Sequence, residues 1–172
     1  MDAQSVKGAD TVGRATRGYD GGKKVNGRKR HLVVDTLGLL LVVLVTAASV
    51  QDRDGGARVL DRLRFRMPSV AVIWADGGYA GRLVGYARQV LKVVVDIVRK
   101  REGQRTFEVL PRRWVVERTL SWISRCRRLA HDYERLPEHS EAMVKWAMIG
   151  LMARRLAPAP GRRPWWEPAK AS

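Results

Sequence analysis

The chain has 172 residues, enough for one domain with a hydrophobic core and too few for two domains of ordinary size. It carries 33 Lys and Arg against 17 Asp and Glu, a formal net charge of +16, although 45% of its residues are hydrophobic. This excess of positive charge favours nucleic acid as the partner, and the single cysteine, Cys126, excludes an intramolecular disulfide and a cysteine-rich zinc site.

A basic segment lies near the start of the chain. Residues Lys7–Arg30 hold eight basic and two acidic residues, and the abundance of Gly, Lys and Arg in Lys7–Gly27 predicts a mobile basic loop. The basic residues toward its end are the first candidates for contacts with DNA phosphates, and the alternative is a solvated loop. These candidates are Lys23, Lys24, Arg28, Lys29 and Arg30.

Two runs rich in leucine and β-branched residues come next, at His31–Asp35 and Leu39–Thr46, and they predict a hairpin. The second run is apolar on both faces, as in a central strand. The apolar stretch Leu37–Val50 is too short to cross a bilayer and lacks the flanks of a signal peptide, so we expect a cytoplasmic protein with no membrane partner. His31 and Asp35 would share one strand face, where a structural pair is favoured over a metal site.

A helix that packs on the sheet is predicted at Gln51–Arg66, because its apolar residues recur at helical spacing. Its Asp52 and Asp54 are typical of a helix N-terminus, and we favour that role over catalysis.

A short strand at Val70–Trp74 stops just before Asp76, and the glycines that follow let the chain turn sharply and leave this carboxylate at the strand end. A helix at Arg82–Val90 and a strand at Val93–Val98 complete a strand, helix, strand unit, which predicts a parallel pair. Tyr79, inside the turn, is a candidate to stack on a displaced base.

The segment Pro111–Leu129 predicts an amphipathic helix rich in aromatic and basic residues. Glu117 is the only carboxylate between Glu108 and Asp132. It can hold a hard cation while nearby arginines take phosphate oxygens, and the alternative is an ion pair with Arg113, four residues earlier. The basic residues of this helix that we expect to contact DNA are Arg113, Arg118, Arg125 and Arg128.

A last helix is predicted at Glu138–Leu156. Asp132 and Glu134, before it, are expected to pair with Arg127 or Arg128. Its predicted core stripe consists of Met143, Trp146, Ala147, Gly150 and Leu151. On the preceding helix, Trp122 is assigned to the core rather than to base stacking. Residues 157–172, rich in Pro, Arg and Trp, are expected to be a disordered tail behind one domain of residues 1–156.

Four stretches carry a resemblance to a known family. They are MDAQSVK at 1–7, GYDGGKKVNGRKRHLVVDTLGLLL at 18–41, ADGGYAG at 75–81 and RWVVERTLSWISRCRRLAHDYE at 113–134. Together they resemble the catalytic part of bacterial insertion-sequence transposases of the DDE type, especially the IS5 group. The four segments occur in the family's order and extend over most of the chain up to Leu156.

The resemblance implies an α/β fold of the ribonuclease H-like kind, a mixed sheet flanked by helices, here with a truncated first strand. It also implies a catalytic triad, Asp2, Asp76 and Glu117, in which Asp2 leaves the first strand and Asp76 leaves the strand next to it. Three such carboxylates suffice to hold two Mg²⁺ ions for DNA strand cleavage and transfer, and Mn²⁺ is expected to be able to substitute for Mg²⁺.

The chain departs from the family's pattern at some positions. Related transposases often show a Tyr, Arg, Glu, Lys series, in which Arg113 and Glu117 match here, while Leu110 stands in the Tyr slot and Ser124 in the Lys slot, with Arg125 one place later. Only Met1 precedes Asp2, so we expect an upstream-frame polypeptide to supply the DNA-binding domain.

The partners implied are double-stranded DNA, as transposon ends and target, and a second copy of the chain in a homodimer on DNA. Two other functions stay open. One is a truncated, non-catalytic DNA-binding remnant, and the other is a repair-type or structure-selective nuclease on the same fold.

Overall fold

The structure, a computed structural model, describes residues 1–98 and 111–156. The strands are β1 Asp2–Lys7, β2 Gly18–Asp20, β3 Val25–Val34, β4 Leu40–Ala47, β5 Val72–Ala75 and β6 Val94–Ile97. The helices are α1 Asp52–Arg66, α2 Arg82–Tyr86, α3 Pro111–Ser124 and α4 Pro137–Leu156. A wider helical turn, Ala87–Leu91, extends α2, and single 3₁₀ turns lie at Arg14–Thr16, Gly77–Tyr79 and Arg127–Leu129.

The long strand β3 is the centre of the sheet. Strands β1, β2 and β4 all pair with it in antiparallel fashion, whereas β5 and β6 form a separate parallel pair. The two groups meet at Met1, whose amino group donates a hydrogen bond of 2.6 Å to the carbonyl of Trp74 on β5. The start of β1 is therefore held beside the end of β5.

Two cores cover the two faces of the sheet. Val42 and Leu44 of β4 pack with α1, while Val43 and Val45 pack with α3 and α4. Because successive strand residues point to opposite faces, this alternation confirms that β4 is apolar on both faces. The expected central position is wrong, because among the described strands β4 pairs with β3 alone and is an edge strand. An antiparallel sheet and a separate parallel pair, flanked by helices, are consistent with the α/β class that the resemblance implied, although the strands do not form one continuous mixed sheet in the described residues.

Most of the predicted elements are confirmed: the β3–β4 hairpin, α1, β5 ending before Asp76, the parallel β5–β6 pair and α4. The first strand differs, because β1 begins at Asp2 and runs to Lys7, whereas the resemblance placed the strand before Asp2. The stretch Lys7–Gly27, predicted as a mobile loop, contains β2 and the first residues of β3. Residues 99–110, including Leu110, and the predicted tail 157–172 lie outside the described residues.

The stripe predicted for α4 is wrong at one position. Trp146 is 70% exposed, and the apolar side chains that α4 buries most completely are Val144 and Met148. Apolar residues occur on several sides of this helix, so the sequence pattern alone did not give the correct phase.

The buried basic residues of β3 correct the prediction of phosphate contacts. Arg28 and Arg30 are fully buried and Lys29 is 5% exposed. Arg28 donates to the carbonyls of Glu134 and Arg135, and Lys29 lies 2.9 Å from Asp52. These side chains hold the fold together, and in this conformation they do not reach a DNA backbone.

Candidate active site

Asp2 and Asp76 lie at the junction between β1 and β5. Asp2 is the first residue of β1, and Asp76 directly follows β5, where its carboxylate accepts a hydrogen bond of 2.9 Å from the backbone of Gly78. The bond from Met1 to Trp74 joins the two strands at this point. Residues 74 positions apart in sequence are thus brought near each other where the antiparallel sheet meets the parallel pair.

The two carboxylates influence each other. Burial raises the pKa of Asp2 to about 6, and the negative charge of Asp76 acts in the same direction. The backbone N–H of Ala3, the ammonium of Lys23 and the N-terminal amino group oppose this rise. A half-buried carboxylate beside a second one is a place where a cation would be stabilised.

Asp52, in the first turn of α1, borders the same turn. A Cβ built on Gly78 would lie 3.1 Å from Asp76 Oδ1 and 3.6 Å from Asp52 Oδ2, so both carboxylates flank this glycine. The other oxygen of Asp52, Oδ1, lies 2.9 Å from Lys29 Nζ. Asp52 makes no side-chain cap, since Gln51 is the cap residue of α1. Acidic residues at this position predicted the start of the helix correctly, but they did not predict that Asp52 lies beside the turn that carries Asp76.

Tyr79 is buried rather than available for base stacking. Its side chain is fully buried, and its hydroxyl has no hydrogen-bond partner within the described ranges. Burial raises its pKa, as do the negative charges of Asp2, Asp52 and Asp76. The ring also packs against α1, where a Cβ on Gly56 would lie 2.9 Å from Tyr79 Cδ1.

Glu117 lies on α3 and is not assembled with the two aspartates. Its Oε1 is 3.0 Å from Arg113 Nε in an i,i+4 pair, and its side chain is 43% exposed. The ion-pair alternative drawn from the sequence is therefore the arrangement seen. Helix α3 nevertheless packs against both β1 and β5, and Gln4 Nε2 of β1 donates to Ser124 Oγ at 2.8 Å.

The fit to a divalent cation is partial. The oxygens of Asp2 and Asp76 are the hard donors that Mg²⁺ prefers. In residues 1–98 and 111–156, however, no three His, Cys, Asp or Glu side chains lie close enough together to hold a metal ion. Asp2 and Asp76 are the two neighbouring donors, and Glu117 would have to leave Arg113 to join them.

The remaining basic candidates differ in their surroundings. Lys24 and Arg125 are exposed, and Lys23 donates to the carbonyl of Ala3 at 2.8 Å. Arg128 is paired with Glu134 at 2.6 Å, which confirms the pair expected for Glu134. Arg118 donates a hydrogen bond of 2.9 Å to the carbonyl of Leu37.

Other side chains that the sequence had set apart have structural partners. Asp132 pairs with Arg28 at 3.4 Å rather than with Arg127 or Arg128. His31 is bonded to Thr46 Oγ1 at 3.0 Å, and Asp35 accepts from the backbone of Leu37 and Leu39 in the hairpin turn. Neither is placed to form a metal site with the other.

Comparison with known proteins identifies the family. A family model described as the transposase DDE domain matches residues 1–152. The chain belongs to this family of insertion-sequence transposases. A Burkholderia cepacia protein that carries the provisional name of transposase for insertion sequence element IS402 is 28% identical over 128 residues, which cover 69% of this chain and 59% of that protein.

This chain thus spans less than two thirds of the length of that curated relative. No solved structure matches it. Among the helices of the described ranges, none is long and apolar enough to cross a membrane.

Proposed function

We propose that the chain is the catalytic domain of a transposase of the IS5 group, which cuts DNA at the ends of an insertion sequence and joins the freed 3′ end to target DNA. Residues 1–156 would form this domain. The observation that carries the proposal is the placement of Asp2 and Asp76 side by side at the β1–β5 junction, with α3 packed across both strands.

The proposed ligands are Asp2, Asp76 and Glu117. Divalent cations, Mg²⁺ or Mn²⁺, would when bound supply Lewis-acid activation of the attacking hydroxyl and stabilise the leaving 3′ oxygen. The carboxylates have to be ionised for this, and a bound cation would oppose the burial that raises the pKa of Asp2 to about 6.

Glu117 would join the aspartates by exchanging its partner. An i,i+4 pair of this exposure contributes only about 0.3–0.5 kcal/mol, so its loss is a small cost. The release frees Arg113 as well, whose guanidinium is then available for a phosphate oxygen of the bound strand. Binding of DNA and completion of the acidic site would thus favour each other.

The other proposed partners follow from the resemblance. They are the transposon ends and the target as duplex DNA, and a second copy of the chain on the paired ends. Lys23, Lys24 and Arg125 are the basic candidates outside the buried set that support binding to DNA.

The test is cleavage of DNA carrying the element's own ends, in Mg²⁺ or Mn²⁺. Asp76→Asn and Glu117→Gln should each lower the rate by roughly a hundredfold or more, while Glu138→Gln, an exposed acid in the first turn of α4, should match the parent. Binding of Mn²⁺, followed by calorimetry without DNA, should weaken in the two site variants alone.

The outcomes separate the alternatives. Cleavage by Asp76→Asn at the parent rate would make the site assignment wrong. Binding of DNA by every version with cleavage by none would favour the non-catalytic remnant. Cleavage without joining of the 3′ end to a second duplex would favour a nuclease on the same fold.

A further inference from the structure

A groove lies between the end of α3 and α4. It encloses about 430 Å³. Its walls include Trp122, Arg125 and Cys126 from the α3 side and Trp146, Leu151 and Arg154 from α4. We call it the tryptophan groove.

Packing in the core does not account for the tryptophan at position 146. It is 70% exposed, and Ile149 one turn later is 50% exposed, whereas Val144 and Met148 on the same helix are buried. An exposed tryptophan at the edge of a cavity is typical of a binding surface, because its large rigid ring loses little conformational entropy when it is covered.

Trp122, which the sequence analysis assigned to the core, is half-buried, belongs to neither core cluster and lines the groove, held in position by its neighbours on α3. The guanidinium of Arg118 lies 4.6 Å from the ring centroid of Trp114 and 4.8 Å from that of Trp122. The spacing i, i+4, i+8 puts these three side chains on one line along the helix. Arg118 is itself anchored by a hydrogen bond of 2.9 Å to the carbonyl of Leu37. The Trp122 ring therefore forms a wall of the groove whose orientation is fixed before a ligand binds.

The charge of the groove is positive. Two arginines and no acidic residue are found among its described lining residues, in a chain of net charge +16. Aromatic rings bind the face of a base of any sequence, and guanidinium groups bind the phosphates on either side of it. A groove with both features complements a single-stranded nucleic acid better than an apolar protein surface.

Its position relative to the aspartates is also suitable. Ser124, at the end of α3, accepts a hydrogen bond from Gln4 of β1. Gln4 is two residues from Asp2, which is roughly 7 Å along a strand. A DNA strand that passes the aspartates therefore reaches the tryptophan groove within a few nucleotides.

We propose that the tryptophan groove binds unpaired nucleotides of a DNA strand, with a base stacked on Trp122 and Trp146 and the flanking phosphates on Arg125 and Arg154. This inference rests on the proposed function, since it assigns a second DNA subsite to the same protein. The groove holds the strand near the point of cleavage once base pairing there is lost.

The test compares two DNA probes in EDTA, so that cleavage plays no part. One is a blunt duplex, and the other is the same duplex with a five-nucleotide single-stranded tail, and both are followed by fluorescence anisotropy. The full chain should bind the tailed probe more tightly. Trp146→Ala should weaken binding of the tailed probe by roughly fivefold or more and leave the blunt probe within about twofold. Trp146→Phe should restore most of the loss.

Phe65→Ala is the matched control, because Phe65 is an aromatic residue of α1 that is 90% exposed and does not line the groove. Equal weakening for both probes, or none for the tailed one, would overturn the inference. A change in the oligomeric state of Trp146→Ala by light scattering, with unchanged binding of the tailed probe, would make the groove a protein interface instead. If the parent binds neither probe, the DNA-processing function proposed above fails as well.

Discussion

Arg28 is a buried charged residue that links β3 to the segment after α3 through hydrogen bonds. Its guanidinium is fully buried and satisfies the carbonyls of Glu134 and Arg135 at 2.8 Å, together with Thr16 Oγ1 at 2.7 Å and the carboxylate of Asp132 at 3.4 Å. The segment after α3 is irregular, so its carbonyls have no ladder partners. Arg28 supplies the missing donors and fastens that segment to β3.

Replacing Arg28 by Met should therefore lower the free energy of unfolding by roughly 3 kcal/mol, because it leaves two carbonyls without their donor and removes the cation paired with buried Asp132. Asp132 then keeps its hydrogen bonds from Ser140 and Glu134. Urea denaturation followed by circular dichroism measures this. Lys24→Met removes an exposed charge four residues earlier and should change the value by less than about 0.5 kcal/mol. Equal losses in the two variants would contradict the structural role.

His31 gives the stability a dependence on pH. Burial lowers the pKa of His31 to about 4, with Asp52 opposing and the cations of Lys29, Lys23 and Arg58 assisting. The unfolded chain then binds more protons than the folded one between about pH 4 and the ordinary value of 6.5, so stability rises with pH across that window. The full effect is on the order of 3 kcal/mol.

In His31→Gln, unfolding free energies measured between pH 4 and 6.5 should rise less steeply than in the parent. His139→Gln, an exposed site on α4, should keep the parent slope. Asp2 acts in the opposite direction, since its raised pKa favours the folded state at low pH and that contribution is lost as pH rises toward 6. A parent curve that falls from pH 4 to 6.5 would show that Asp2 outweighs His31.

At the scale of elements, α1 is placed by two adjacent glycines. Gly55 and Gly56 lie inside the helix, where glycine costs up to about 1 kcal/mol relative to alanine. A Cβ on Gly55 would overlap the ring of the buried His31 on β3, and one on Gly56 would press on Tyr79. The glycines let α1 approach the sheet closely, which brings Asp52 to the turn that carries Asp76.

Gly55→Ala should thus destabilise the protein by about 2 kcal/mol despite the gain in helix propensity. Gly85→Ala, in α2, should stabilise it by about 0.5–1 kcal/mol, since no atom lies within 4 Å of its added Cβ. Thermal melting of the two variants beside the parent gives the comparison. A stabilised Gly55→Ala would mean that α1 stands farther from β3.

Elements whose apolar residues recur with one clear period were predictable from the sequence. Elements stabilised by partners far away in the sequence were not. Apolar alternation and turn residues gave the hairpin, α1 and the strand before Asp76, because these signals are local. The first half of β3 reads as polar, and its burial depends on carbonyls about 100 positions away. Likewise, the spacing of Arg113 and Glu117 gave their ion pair, while the closeness of Asp52 to Asp76 follows only from the packing of α1.

For the whole molecule, the net charge of +16 overstates the surface available to DNA. Arg28, Lys29 and Arg30 are buried, and Lys29 is balanced by Asp20 at 3.3 Å and Asp52 at 2.9 Å. The charges that can release counterions from DNA are the exposed ones. The sequence composition predicted a partner of negative charge, and the fold determines which basic residues are exposed to contact it.

The salt dependence of binding distinguishes these two sets. The logarithm of the affinity for a blunt duplex should fall linearly with the logarithm of the salt concentration, by about 0.9 for each phosphate neutralised. Lys24→Ala should make the slope shallower by about that amount, because its side chain is exposed. Arg28→Met, studied at a temperature where circular dichroism shows it folded, should keep the parent slope, because its charge never reaches the DNA. A shallower slope for folded Arg28→Met would mean that β3 opens on binding, and that the buried arginines belong to the DNA surface after all.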